Sequence, residues 1–401
     1  SFVRSNKLGL NGALSIDQNI WFTGGKVSLS SSLDFMKQLG SGGSRQFMSV
    51  PIALQLTQPI FGVNNLKWNR RIEPVRYEEA KAAFITATET VTMNAITYFF
   101  NLLSAKETLG TARQNQVNAD RLYEVAGAKR KMGQISENEL LQLKLAALKA
   151  RAAVTDAESN LNAHMFRLRS FLAIGNDLIL EPVVPESAPN LKMEYNQVLN
   201  KALERNSFAH NIRRRQLEAE YEVATARGNL RSVDLFANVG YTGLNKDLSP
   251  AYHNLLDNQV VEVGVKIPIL DWGKRRGKVR VAKSNRDVTL SKIKKEQMDF
   301  DQDIFLLVEH FNNQAQQLSI ANEADKIAQQ RYKTSVETFL IGKINTLDLN
   351  DAQNSKDDAR QKHINELYWY WYYYYQLRSL TLWDFQNNTP LEADFEDIVK
   401  K

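Results

Sequence analysis

The sequence predicts a mixed α/β membrane protein, built as a tandem repeat in which a β-hairpin is followed by long heptad-patterned helices. Three observations support this fold class. The two halves of the chain match at one constant offset, each half opens with apolar residues at every second position, and each continues with apolar residues at every seventh. The first feature indicates duplication, the second strands, and the third packed helices.

The repeat has an offset of 209 residues and runs without a gap over more than a hundred positions. Pro59 falls on Pro268, and Gly133 falls on Gly342. A single match of this kind would be chance, but a whole series with one offset is not. The molecule is therefore a tandem duplication.

Each half begins with two stretches in which apolar residues alternate with polar or small ones. In the first half these are Leu8–Ile20 and Met48–Ile60, and in the second Val233–Tyr241 and Val261–Ile269. A period of two gives a strand one apolar and one polar face. We therefore expect two hairpins and four strands. A soluble sandwich, in which the apolar faces meet each other, is the alternative.

Heptad spacing replaces the alternation after each pair of strands. In the first half apolar residues recur every seven positions from Phe84 to Ala126, and a returning seam runs from Leu140 to Leu168. This period packs helices into a left-handed coil. The returning seam of the second half is more polar, with Lys356, His363 and Glu366 at seam positions. We interpret it as a face lining water.

The expected segments follow from these patterns. They are a first β-hairpin in 1–62, a first helical hairpin in 63–180, a linker with an equatorial helix in 181–230, a second β-hairpin in 231–271, a second helical hairpin in 272–386 and a tail in 387–401. Pro59 and Pro268 mark the junctions of strand and helix. The linker should hold one helix, Met193–Arg227. Its lack of a counterpart in the first half leads us to expect about 35 further mature residues before Ser1.

Other functions find little support in the sequence. There is no cysteine, and the five histidines form no H-E-x-x-H pair, so we expect no metal, no cofactor and no catalytic residues. The net charge of +6 comes without a nucleic-acid module, which argues against a nucleic-acid partner. The remaining alternative is a soluble or periplasmic coiled-coil scaffold or adaptor, which would explain the heptads but not the two-faced strands.

Three stretches resemble the TolC-like outer-membrane efflux protein family: Leu56 to Phe61, Ile267 to Gly277, and Leu347 to Gln353 after Gly342. The resemblance covers essentially the whole chain. It implies a homotrimer in the outer membrane of a Gram-negative bacterium, with four strands per chain closing a twelve-stranded β-barrel that a periplasmic α-barrel continues. It also implies a passive exit duct for efflux or type I secretion. The implied partners are outer-membrane lipid, a periplasmic membrane-fusion adaptor and an inner-membrane pump of RND or ABC type.

The resemblance also assigns roles to the two helix turns. The residues that would meet the adaptor are Gly133, Gln134, Ile135, Ser136, Gly342, Lys343, Ile344 and Asn345. Helix capping alone would explain the same residues. Family members carry acidic residues at the positions of Asp348 and Asp351, where they ring the periplasmic entrance and attract cations. The alternative is an ordinary N-terminal helical turn, in which acids suit the helix dipole. The stretch Thr334 to Leu340 departs from the family's usual spacing, which leaves the shape of the second turn open.

Overall fold

The computed structural model describes residues 6–39, 43–175, 178–183, 189, 191–231, 233–253, 255–267 and 270–395. The chain forms two compact units. The first comprises Ser1–Glu78 and His210–Glu296, and the second comprises Glu79–Ala209 and Gln297–Lys401.

A five-stranded antiparallel sheet dominates the first unit, with its strands in chain order. The strands are β1 (Asn6–Asn19), β2 (Lys26–Leu39), β3 (Arg45–Pro59), β4 (Asp234–Asn245) and β5 (Leu255–Lys266).

The expectation of four strands is therefore wrong, because residues 1–62 hold three strands rather than one hairpin. The missed strand, β2, lies between the two strands that were expected to pair. Its sequence also alternates, with Val27, Leu29, Leu33 and Phe35 separated by serines and one aspartate. Its four serines lower the mean hydropathy, so the alternation of apolar and polar residues is weaker here than in the other strands.

The sheet has one apolar and one polar face. Directly paired residues form an apolar row across all five strands: Ile16, Leu29, Leu54, Val239 and Val261. Each of these side chains is between 38% and 65% exposed.

The next row lies on the opposite face, because successive side chains of a strand alternate in direction. Its members are Asp17, Ser28, Gln55, Asn238 and Glu262. All five are polar.

Seven helices lie in the part of the chain that the structure describes. They are α1 (Asn65–Lys131), α2 (Glu137–Leu172), α3 (Tyr195–Arg205), α4 (Ser207–Leu230), α5 (Leu248–His253), α6 (Lys274–Leu340) and α7 (Thr346–Thr381). Helices α1 and α6 have 67 residues each, and α2 and α7 have 36 each. All four pairs of boundaries differ by the repeat offset of 209 residues. The stretch before the second turn, Thr334 to Leu340, simply continues α6.

The single helix expected over Met193–Arg227 is wrong, because two helices, α3 and α4, meet at Asn206. The backbone of Asn206 is extended, with φ −70° and ψ 144°. Its side-chain oxygen accepts a hydrogen bond from the Phe208 amide at 2.8 Å, and its side-chain nitrogen donates to the Leu380 carbonyl at 2.6 Å. Asparagine competes with the helical backbone in this way, which explains the break.

The main core of the second unit is aromatic. Phe311 of α6 packs against Tyr370 and Tyr374 of α7, and residues of α3 complete the cluster. A short ribbon, β6 (Trp383–Asp384) and β7 (Thr389–Pro390), follows α7. The Tyr374 hydroxyl donates to Asp384 at 2.7 Å. Burial and this hydrogen bond raise the pKa of Tyr374, and burial raises that of Tyr370 to about 12.

Among the helices described, none combines the length and the apolar character that crossing a bilayer requires.

Candidate functional site

The two helix turns, 132–136 after α1 and 341–345 after α6, end their first helix in the same way. Gly133 has φ +71° and Gly342 has φ +78°, a left-handed conformation that glycine adopts without strain. The next amide, that of Gln134 or of Lys343, donates to the carbonyl five residues earlier at 3.0 Å. This is the Schellman arrangement that satisfies the last carbonyls of a helix. The second turn therefore has the same shape as the first.

The following helix starts with a capping box in both turns. The Ser136 hydroxyl accepts from the Glu139 amide at 3.2 Å, and the Glu139 carboxylate accepts from the Ser136 amide at 2.7 Å. Asn345 and Asp348 make the equivalent pair at 2.9 and 3.4 Å. Hydrogen bonds from the Ser136 amide and hydroxyl lower the pKa of Glu139. The repeat is thus conserved in detail between the two turns.

A groove of about 690 Å³ separates the two turns. Ile135 and Ile344 are half-buried and pack against one shared apolar cluster, which includes Leu143 and Leu349. The predicted contact residues at the rim are exposed: Gly133, Gln134, Ser136, Gly342, Lys343 and Asn345. The structure therefore brings all eight predicted turn residues to one end of the second unit, with polar groups facing solvent above an apolar floor.

The predicted acidic pair lies on the first two turns of α7, and both carboxylates are exposed. Asp348 belongs to the capping box described above. Asp351 forms an ion pair with Arg331 of α6 at 2.5 Å, and Arg331 also donates to Ser355 at 3.2 Å. No local sequence pattern marks Arg331 as this partner, because it lies on a different helix. Its basic side chain offsets one of the two negative charges at this site.

A buried charged cluster was also missed. Arg360 of α7 contacts Glu107 of α1 at 2.6 Å and Asp325 of α6 at 3.2 Å. Asp325 is only 3% exposed, and the imidazole of His363 lies 3.5 Å from its carboxylate. Burial alone would lower the pKa of Arg360, but the two carboxylates outweigh this effect and raise it.

The interpretation of the polar returning seam as a face lining water is wrong. Lys356 contacts Asn115 of α1 at 3.1 Å, and Glu366 accepts a hydrogen bond from Gln314 of α6. With His363, these side chains are half-buried between helices. The seam is polar because it carries specific contacts between helices.

The structure describes one of the two prolines predicted at the junctions of strand and helix. Pro59 ends β3 and pairs with Asp234 across the sheet. Pro268 lies outside the described residues. Within the described residues, no cluster of His, Asp and Glu could hold a metal ion.

The family model described as "Outer membrane efflux protein" matches residues 23–173 and 198–381, which is well over half of the chain. Among solved structures, the fold is similar to that of CusC, with a TM-score of 0.69 and 14% identity over 94% of this chain and 83% of that one. It is also similar to the CmeC outer membrane channel of Campylobacter jejuni, with a TM-score of 0.65 and 16% identity over 98% and 80%.

A third similar structure is the outer membrane protein VceC of Vibrio cholerae, with a TM-score of 0.65 and 13% identity over 94% of this chain and 86% of that one. No match is found among curated proteins. The matching structures agree with the predicted fold class, a duplicated strand and helical-hairpin unit. The family match establishes what the turns and the two-faced sheet suggested: this chain belongs to the outer membrane efflux protein family, whose members are channels and not enzymes.

Proposed function

We propose that this chain is one protomer of a homotrimeric, passive exit duct in the outer membrane of a Gram-negative bacterium. The observation that carries the proposal is the two-faced sheet. An apolar row from Ile16 to Val261 crosses all five strands on one face, and a polar row from Asp17 to Glu262 crosses them on the other. Outer-membrane barrels need this pattern, since one face meets lipid and the other meets water. One open sheet would leave unpaired edges in lipid, whereas three copies can close them.

The number of strands limits how three copies can close. In an antiparallel sheet of five, β1 and β5 run in the same direction. Three-fold symmetry would then place β5 of one protomer parallel to β1 of the next. Outer-membrane barrels are antiparallel throughout. Strands β2 and β5 run in opposite directions, so β5 of one protomer can pair antiparallel with β2 of the next. We therefore assign β2 to β5 to the twelve-stranded barrel, which requires β1 to release the edge of β2.

The turns at Gly133 and Gly342 are the proposed adaptor contacts, with the groove between them as the docking site. A helical hairpin of a periplasmic adaptor would place apolar residues over Ile135 and Ile344 and polar residues against the exposed rim. Through that adaptor the duct would join an inner-membrane pump of RND or ABC type, in a tripartite efflux or type I secretion system. Asp348 and Asp351 would form an acidic ring at the periplasmic entrance.

The mass of the protein in detergent tests the proposal directly. A trimer is expected, and a monomer or dimer would refute it.

A disulfide between β1 and β2 tests the strand assignment. The chain has no cysteine, and Ala13 and Ser32 are paired across the two strands, within the reach of a disulfide. The oxidised Ala13→Cys/Ser32→Cys variant should fail to form trimers and the reduced one should form them. Trimers under both conditions would exclude release of β1.

A further inference from the structure

The two units carry opposite charge. Residues 1–78 and 210–296 contain 26 Lys and Arg against 14 Asp and Glu, whereas the rest of the chain contains 25 against 31. The net charges are therefore +12 and −6, although the whole chain carries only +6. Such a concentration of positive charge attracts acidic partners to the first unit.

The long helices α1 and α6 both start at one end of the sheet. Pro59, Asp234 and Lys266 are paired across β3, β4 and β5, so they mark one edge of the sheet. Helix α1 begins six residues after Pro59, and α6 begins eight residues after Lys266. The turn between β1 and β2 lies at the same edge, because the Asn64 side chain donates to the Trp21 carbonyl at 2.7 Å.

Six exposed cations lie on the first two turns of these helices, and we call them the basic cluster. They are Lys67, Arg70, Arg71, Lys274, Arg276 and Lys278. At 1.5 Å per residue they all lie within about 10 Å of a helix start. Among the described residues, no Asp or Glu forms an ion pair with any of the six. Asp271 accepts hydrogen bonds from the amides of Gly273 and Arg275 and forms an ion pair with the Arg275 side chain at 3.5 Å. The hydrogen bonds, with a smaller contribution from the charges of Arg275 and Arg276, lower the pKa of Asp271.

Exposed aromatic side chains lie between the sheet and the basic cluster. Trp21 and Phe22 occupy the turn before β2, Phe61 follows β3, and Trp272 follows β5. Trp272 is 93% exposed. Along the chain the order is apolar sheet face, aromatic residues, then cations. A protein surface that passes from hydrocarbon through the interface to phospholipid head groups has this order.

We propose that the basic cluster binds anionic phospholipid head groups in the membrane leaflet nearest the helices. This inference rests on the proposed insertion of the sheet into a membrane. Each Lys or Arg near an anionic bilayer surface strengthens binding about fivefold. The six cations, none of which has a carboxylate within ion-pair distance among the described residues, would therefore select anionic over zwitterionic lipids around the duct.

Lipid that co-purifies with the trimer tests the proposal. The protein is purified from micelles holding equal amounts of phosphatidylcholine and phosphatidylglycerol, and the bound lipids are quantified by mass spectrometry. The wild type should be enriched in phosphatidylglycerol. The variant Lys274→Gln/Arg276→Gln/Lys278→Gln should lose at least tenfold of this enrichment, and 0.5 M salt should weaken it because salt screens exposed charges.

The matched control, Lys144→Gln/Lys149→Gln/Arg167→Gln, removes three exposed cations from α2 and should keep the enrichment. Equal lipid ratios in the wild type and the basic-cluster variant would overturn the proposal. The proposal would also be overturned if the basic-cluster variant changed the ion selectivity of the duct but not the ratio of bound lipids. The cations would then act on the transported cargo. A trimer without lipid preference refutes this inference alone, whereas a protein that forms no trimer refutes the proposed function.

Discussion

The acidic site at the start of α7 offers a test in which two substitutions should act in opposite directions. Asp351 is paired with Arg331, whereas the hydrogen bonds of Asp348 to described residues lie within its own turn. In a trimer, six carboxylates and three guanidinium groups would lie at the entrance. Asp348→Asn would remove three negative charges from this ring, and Arg331→Gln would remove three positive ones.

The expected effect follows from Coulomb's law. Two unit charges about 10 Å apart in water interact by about 0.4 kcal/mol. Three charges around the axis therefore change the free energy of a monovalent cation there by about 1.2 kcal/mol, or roughly sevenfold in occupancy, before screening. For a divalent cation the change is about 2.4 kcal/mol, or roughly fiftyfold.

Single-channel recording at low salt measures this effect as block by a divalent cation. Asp348→Asn should weaken the block, and its amide oxygen can still accept the capping hydrogen bond. Arg331→Gln should strengthen the block. Glu139→Gln serves as the control, because it changes the same capping box in the other turn. If Asp348→Asn and Arg331→Gln shift the block in the same direction, or if neither alters it, the acidic ring is not at the entrance.

Three further predictions concern local structure. Gly342→Val places a β-branched residue at φ +78°, which costs at least about 1–2 kcal/mol. This variant should abolish export while trimers persist. As a control, Gly110→Ala within α1 should raise the free energy of unfolding by about 0.5–1 kcal/mol. Arg360→Met removes the guanidinium partner of the buried Asp325 carboxylate and should lower the free energy of unfolding by about 3–5 kcal/mol. The exposed Arg151→Met should cost at most about 1 kcal/mol, and equal losses in denaturant titrations would contradict this. Hydrogen bonds from Tyr374 and Asn387 and the charge of Arg378 outweigh burial and hold the pKa of Asp384 below 3.8. The wild type should therefore lose thermal stability as the pH falls below 3.8, the unfolded value, whereas Asp384→Asn should show a flatter Tm profile across that window.

The repeat was the most informative feature of the sequence. Its offset correctly related all four boundaries of the long helices, and the structure extends it to the hydrogen bonds of both turns. Turns of this type depend on local residues, a glycine at the helix end and a Ser or Asn cap three residues later, so the sequence is sufficient to predict them.

Features that depend on tertiary contacts were harder to predict. Strand β2 is rich in serine, and its identity as a strand depends on the neighbours β1 and β3 that pair with it. The pairing of Asp351 with Arg331 joins residues on different helices, 20 positions apart. No local pattern distinguishes that carboxylate from an unpaired one. Closure of the proposed trimer depends on strand edges that pair between chains, and no local sequence pattern marks such a contact.

The two helical hairpins have boundaries related by one offset, but they differ in how their helices are held together. In the first hairpin Arg151 pairs with Asp120 at 2.9 Å on the surface, with the guanidinium side chain 59% exposed. Its counterpart by the repeat offset, Arg360, is half-buried and contacts both α1 and α6.

An exposed pair contributes little to stability, whereas a buried cation between two carboxylates fixes one arrangement of its helices. Lys356 and Glu366 add further polar contacts from α7 to the same two helices. Movement of α7 away from α1 and α6 must therefore break partly buried contacts, whereas the equivalent pair on α2 is exposed and joins α2 to α1 alone. Replacing Arg360 should therefore favour any arrangement of the proposed duct in which α7 is separated from α1.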